Sequence, residues 1–294
     1  MTTNYGKKLV ELIHKETGVI AKYIAKYGYP AETHKIVTED GYILKTHRIP
    51  HGKASSKTNN KVVLLVHGIA GSAENFIILG PNDALAFLLA DRGFDVWLFN
   101  ARGTVHSRRH ETRSPNYFQA SGFWNFNLHE IGVYDLPANI DYILESTNNT
   151  FIFYVGHSQA GASYVILTSE KPEYNQKIRA AALLAPAVLM QYTESYFRRY
   201  DYEKSTNLIK YNNTFPPEYN INNSVVPVAL FMANGDNLIS MKSIYELSKL
   251  LPNVAMIYEV PHENFNHIDY LFAHNAKDLI YEPVYDFIMQ FMDN

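Results

Sequence analysis

The 294 residues contain no cysteine. That excludes disulfides, thiolate metal sites and a cysteine nucleophile, and it leaves the compartment open. Long apolar runs are missing as well. The longest, Ala180 to Met190, is eleven residues with Pro186 inside it, well short of the roughly 20 that cross a bilayer. Charge of one sign is not concentrated anywhere: the net charge is -3, and there is no basic block of the kind that binds nucleic acid. The N-terminus, MTTNYGKKLVELIHKE, sets Lys7, Lys8 and Glu11 among its apolar positions. Without an uninterrupted apolar core it is not a signal peptide, so the chain is either intracellular or has had a leader removed.

What is present is enough to bury a large core. With 47% hydrophobic residues, the chain reads as one α/β domain over residues 1–294 carrying an insertion. An amphipathic helix is expected from residue 5 to Gly28. A hairpin follows, Glu32 to Val37 and Tyr42 to Ile49, around the Asp40-Gly41 turn. Apolar runs of buried-strand type then alternate with helical patterns. Strands are expected at Val62 to Val66, Asp95 to Phe99, Phe151 to Val155, Ile178 to Leu184, Val228 to Met232 and Ala255 to Val260. Helices are expected at Asp83 to Arg92, Leu128 to Glu145 with Pro137 interrupting it, Ala160 to Ser169, Lys242 to Leu251, and from about Asn275 to Met292. Such alternation implies a mostly parallel sheet covered by helices on both faces, with functional groups in loops at the carboxyl ends of the strands.

One stretch breaks the alternation. Residues 186–224 separate two strong strands and carry no strand pattern, yet Tyr192, Tyr196, Phe197, Tyr200, Tyr202, Tyr211 and Phe215 give them apolar surface to bury. A segment of that length in a compact domain is usually functional, and it is expected to form a short cap. Asn-x-Ser/Thr triplets begin at Asn148, Asn212 and Asn222. They would suit an exported chain, although asparagine-rich loops also generate them by chance.

The chain is organised around Phe151-Ile152-Phe153-Tyr154-Val155-Gly156-His157-Ser158-Gln159-Ala160-Gly161. A buried strand breaks at a serine and resumes as a helix. Gly156 and Ala160, two residues either side of Ser158, are small enough for strand and helix to approach closely. The backbone N–H of Gln159 then lies at a helix N-terminus, where it can hold a developing oxyanion. As a bare pattern this would arise by chance in roughly one chain in five, and a serine that merely caps a helix would look the same. The rest of the constellation decides.

A serine needs a base, and the base an acid to orient it. After the strand ending at Met232 comes Asp236, in Ala233-Asn234-Gly235-Asp236-Asn237; a turn aspartate is the plain alternative. After the strand ending at Val260 come His262 and His267, which compete for the role of base, with Glu263 and Asp269 as reserve acids. The order serine, aspartate, histidine is that of the α/β-hydrolase fold. HENFNH superficially suggests zinc, but histidines five apart do not share a helix face, so neither metal nor cofactor is expected. The second oxyanion donor is expected from His67-Gly68-Ile69, with the Ile69 N–H the best candidate.

These residues resemble the gastric and lysosomal acid lipases. The resemblance runs through YGYPAETHKIVTEDGYILKTHRI, His67-Gly68-Ile69 with Gly71-Ser72, GFDVWLFNARG, HSRRH, FWNFNLHEIGVYDLPANIDYI, YVGHSQ, NGD and FNHID. It implies Ser158 as nucleophile, Asp236 as acid, His267 rather than His262 as base, and the amides of Ile69 and Gln159 as oxyanion donors. The implied substrate is a lipid ester of triacylglycerol or cholesteryl ester type, with a lipid–water interface as one place to meet it. A secreted or endolysosomal setting is implied with it. Two departures stand out. Ala160 replaces a family glycine, and the cap lacks the middle of the family's cap, cysteines included. A pocket so opened implies an esterase with shorter-chain preference and little interfacial activation. The alternative is a lipid-binding protein with weak or no catalysis on the same scaffold.

Overall fold

The structure, a computed structural model, describes residues 18–54, 61–116, 118–119, 121–189 and 197–292. Helix α1 is Val19–Lys26; the expected stretch from residue 5 to 17 lies outside the described residues, as do Tyr192 and Tyr196. The hairpin forms as the Asp-Gly turn requires, with β1 at Glu32–Val37 and β2 at Tyr42–Ile49, and Gly41 takes φ 88°. Then come β3 (Lys61–Val66), α2 (Leu85–Asp91), β4 (Phe94–Leu98) and the short β5 (Arg109–His110). After them the chain resumes strict alternation.

Helix α3 opens with Leu128–Glu130, widens into a π-helical stretch over Ile131–Asp135 and continues as Leu136–Thr147. Pro137 therefore does not interrupt the helix. The residue carries no N–H to donate, and the wider turns just before it accommodate its ring. Within that stretch Gly132 lies against the next helix so closely that a β-carbon there would run into Ile166.

The remaining elements are β6 (Ile152–His157), α4 (Gln159–Glu170), β7 (Ile178–Leu184), α5 (Lys204–Tyr211), β8 (Val228–Met232), α6 (Met241–Leu250), β9 (Val254–Glu259), α7 (Asp269–Phe272) and α8, which is π-helical over Lys277–Tyr281 before Glu282–Met289. Among the described residues the sheet order is β1-β2-β4-β3-β6-β7-β8-β9, with β5 on β2. From β4 to β9 all pairings are parallel, and β1, β2 and β4 pair antiparallel.

Period-two geometry sorts the strand side chains onto two covered faces. Val63, Leu65, Phe153, Val155 and Ala182 join one core with residues of α1, α2 and α8. Val62, Leu64, Val66, Tyr154 and Leu183 join another with residues of α3, α4 and α6. Because both faces are buried, these strands show no polar alternation. Among the described residues no helix is long and apolar enough to cross a membrane.

Between β7 and β8, residues 197–199 lie alongside 217–219, joined by Arg199 N–H to Pro217 O and Tyr219 N–H to Phe197 O, each 3.0 Å or shorter. Asn207, fully buried on α5, ties the intervening turn together. Its amide donates to Asp201 Oδ1 at 2.6 Å and Thr214 O at 3.1 Å and accepts from Tyr202 N–H at 2.9 Å.

Candidate active site

Ser158 sits between β6 and α4 with φ 57° and ψ -117°, a left-handed conformation that a side chain adopts only under constraint. The constraints are visible. Ser158 N–H donates to Leu184 O at 2.8 Å, and Ser158 O accepts from Gly161 N–H at 2.9 Å and Ala187 N–H at 3.0 Å. The close approach also needs small residues. A β-carbon on Gly156 would lie 2.7 Å from the Tyr154 ring and 2.9 Å from Ala160 Cβ. Ala160 therefore fits only because residue 156 has no side chain.

His267, eight residues beyond the end of β9, brings its ring to Ser158. Its Nε2 lies 2.8 Å from Ser158 Oγ, and its Nδ1 lies 2.8 Å from Asp236 Oδ2. The other Asp236 oxygen, Oδ1, accepts the amide hydrogens of Leu238 and Ile239, both at 2.8 Å. The carboxylate thus presents one committed oxygen to the histidine, which places the imidazole proton on Nδ1 and leaves Nε2 as the acceptor facing the serine. All three residues are buried. Gly235 allows the two loops to meet, because a β-carbon there would stand 2.7 Å from the carbonyl carbon of Asn264.

The competitors go elsewhere. His262 and Glu263 are exposed. Asp269 accepts from Asn266 N–H at 2.7 Å, capping the turn before α7. Among the described residues there is no cluster of acid, histidine and cysteine side chains that could hold a metal ion.

Gly68 packs onto the serine from the far side. A β-carbon there would lie 2.9 Å from Ser158 Cβ and 3.2 Å from His157 Nδ1. The following turn closes with Gly71 N–H on Gly68 O at 3.2 Å, and Ala70 takes φ 57°. Among the described residues no acceptor takes the amide hydrogens of Ile69 or Gln159.

Two histidines that sequence reasoning left without a role flank this centre. His157 donates from Nε2 to the carbonyl of His267 at 2.9 Å, and the ring centroids are 4.7 Å apart. Burial pushes the pKa of His157 down to about 3, so the ring is neutral. His67 is likewise neutral, its pKa pushed down to about 4 by burial. Their positions, immediately before Gly68 and Ser158, are the signal by which sequence reasoning could have found them.

The constellation opens into a cavity of about 1030 Å³ lined chiefly by apolar groups, among them Leu128, Val188, Phe197, Phe215, Leu238 and Leu271. A strained serine between a parallel strand and a helix, hydrogen-bonded in series to a histidine and an aspartate from later strand-end loops of the same sheet, is the arrangement of an α/β-hydrolase.

Comparison with known proteins narrows the class. Residues 20–80 match the partial alpha/beta-hydrolase lipase region and residues 61–209 the alpha/beta hydrolase fold. Lipase 1 of Drosophila melanogaster is 32% identical, with 89% of this chain and 77% of that protein covered; Lipase 3 of the same fly is 31% identical, with 87% and 89% covered. Gastric triacylglycerol lipase of Mus musculus is 44% identical over 61% of this chain and 45% of its own. An esterase from Pyrococcus furiosus superposes with a TM-score of 0.63 at 17% identity, covering 92% of this chain and 95% of its own. The chain belongs to the acid lipase family of α/β-hydrolases and is an ester-hydrolysing enzyme.

Proposed function

We propose that the enzyme cleaves acyl lipid esters, of triacylglycerol or cholesteryl ester type, through an acyl-enzyme on Ser158. The observation that carries this is His267 standing 2.8 Å from both Ser158 Oγ and Asp236 Oδ2 at the floor of the cavity. Ser158 Oγ attacks the ester carbonyl as its proton passes to His267 Nε2. The resulting imidazolium is stabilised by Asp236, and the negative oxygen receives the amide hydrogens of Ile69 and Gln159. Collapse expels the alcohol, which takes the proton from His267. Water then attacks the acyl-enzyme by the same path and releases the fatty acid. Relatives named gastric triacylglycerol lipase support the substrate class and a secreted or endolysosomal setting.

Residues 186–224 are the cap in this reading, a short insertion within a single domain of residues 1–294. The alignments to the fly lipases run over 349 and 354 positions while covering 89% and 87% of a 294-residue chain, so those relatives carry residues with no counterpart here. A reduced cap leaves the cavity mouth open. Such an enzyme favours shorter acyl chains and gains little from an interface. A rate that climbs steeply as tributyrin passes its solubility limit would argue against this.

The decisive experiment is labelling of the folded protein with a fluorophosphonate, followed by peptide mapping. A single adduct on Ser158, together with loss of ester turnover in Ser158→Ala, is expected. Retained turnover in that variant would overturn the assignment.

A further inference from the structure

The Gly68 carbonyl is held from behind. His67 Nδ1 lies 2.8 Å from Gly68 O, and Ala101 N–H donates to His67 Nε2 at 3.1 Å. Because Nε2 accepts, the ring proton is on Nδ1, and His67 donates to the Gly68 carbonyl. Every described peptide bond is trans, and a trans peptide sends its C=O and the following N–H in opposite directions. Holding Gly68 O against the His67 ring therefore turns the Ile69 N–H away from that ring. Gly68 itself packs on Ser158 and His157.

We propose that His67 is the positioning residue of the oxyanion hole: its Nδ1–H fixes the plane of the Gly68–Ile69 peptide so that the Ile69 N–H meets the oxygen of the carbonyl under attack. The inference rests on Ser158 being the nucleophile. It explains why an imidazole, with a donor and an acceptor on opposite edges, occupies this place. One edge grips the oxyanion loop and the other grips a backbone that is itself immobilised. Ala101 is followed by Arg102, whose N–H and Nε donate to Asp135 at 2.9 and 2.7 Å and whose two terminal nitrogens donate to Asp40 at 2.6 and 2.8 Å. The Arg102 and Asp135 side chains are fully buried. The oxyanion loop is thereby tied to a buried, multiply hydrogen-bonded ion cluster. Neutrality matters to the arrangement, since a proton on Nε2 would set two donors against each other at Ala101. Burial keeps it off.

The test compares His67→Asn with His67→Gln. Asparagine can place an N–H where Nδ1 stands; glutamine reaches the Nε2 position and withdraws the side-chain donor from the Gly68 carbonyl, leaving only the longer bond from Gly71 N–H at 3.2 Å. His67→Gln is expected to lose on the order of 100-fold in kcat on a soluble p-nitrophenyl ester, with KM within about threefold, as for loss of one oxyanion donor. His67→Asn should recover at least about tenfold of that loss, and fluorophosphonate labelling of Ser158 should track kcat in both variants. A packing role alone would give both variants the same deficit and would move thermal stability rather than the kcat-to-KM split. If both variants label Ser158 at the wild-type rate, the proposal for His67 fails and the Ser158 mechanism stands. If the wild-type protein is not labelled at Ser158, both fall together.

Discussion

Gly235 and Asn264 lie so close that a β-carbon on the glycine would be 2.7 Å from the asparagine carbonyl carbon, with Phe265 O at 2.8 Å and Glu263 O at 2.9 Å. All three are backbone atoms, which cannot swing aside as a side-chain tip can. The glycine therefore sets how near the loop bearing Asp236 comes to the loop bearing His267.

Gly235→Ala is expected to part those loops. A displacement of about 1 Å at a catalytic pair costs on the order of 100-fold in rate. Overpacking of this kind costs about 1 to 3 kcal/mol of stability, so the protein should still fold. Turnover of a soluble ester and the rate of fluorophosphonate labelling measure the first effect, and urea denaturation the second. Unchanged turnover would show that the loops have slack.

Asp236→Asn should abolish most activity through the tautomer of His267. The Leu238 and Ile239 amides both donate to Asp236 Oδ1, so an asparagine there keeps its carbonyl oxygen on them and turns its NH2 toward His267. The ring then carries its proton on Nε2 and cannot take one from Ser158. Loss of kcat by about 10³- to 10⁴-fold is expected near neutral pH. A variant within tenfold of wild type would mean another group orients the base.

Ala160→Gly is expected to leave kcat within about twofold while lowering stability by about 0.5 to 1 kcal/mol, because glycine in a helix costs backbone entropy. Gly156→Ala is the contrasting case. Its methyl group would meet the Tyr154 ring and Ala160 Cβ, and the turn at Ser158 between β6 and α4 should distort with loss of turnover. Equal behaviour of the two variants would remove the packing explanation.

Stability should fall on acidification. Burial depresses the pKa of His47 to about 3, of His67 to about 4 and of His157 to about 3, against about 6.5 in an unfolded chain. Between those values the unfolded chain binds more protons. The stabilisation is therefore fully present above about pH 6.5 and declines as pH drops toward 4. Asp135, whose carboxyl burial pushes up to about 6, acts in the opposite sense and offsets part of the loss. His47→Gln lies outside the site and removes one of the three groups. It should flatten the decline by at most about 1.4 kcal/mol per pH unit, measured as melting temperature between pH 7 and 5. An unaltered slope would mean that His47 is protonated in the folded state.

Much of this molecule is written locally. The Asp40-Gly41 hairpin, the strand Ile178–Leu184 and the strand Val228–Met232 follow from turn chemistry and from short apolar runs, and they form where those signals place them. The helix through Pro137 shows the limit of local reasoning, since a π-helical stretch, stabilised by contact with another helix, absorbs a residue that ordinarily breaks one. The strand-to-helix turn at Ser158 was legible because strand, small residues and helix are contiguous. Between His262 and His267, only the family resemblance ranked one above the other. His262 and His267 are both histidines after the same strand, and residue type and spacing alone do not rank them. The structure brings His267, and not the exposed His262, to Ser158 across 109 positions and to Asp236 across 31. The roles of Gly235 and His67 belong to the same category. Each depends on what stands on the far side of a backbone, which is a property of packed loops and not of any stretch of sequence.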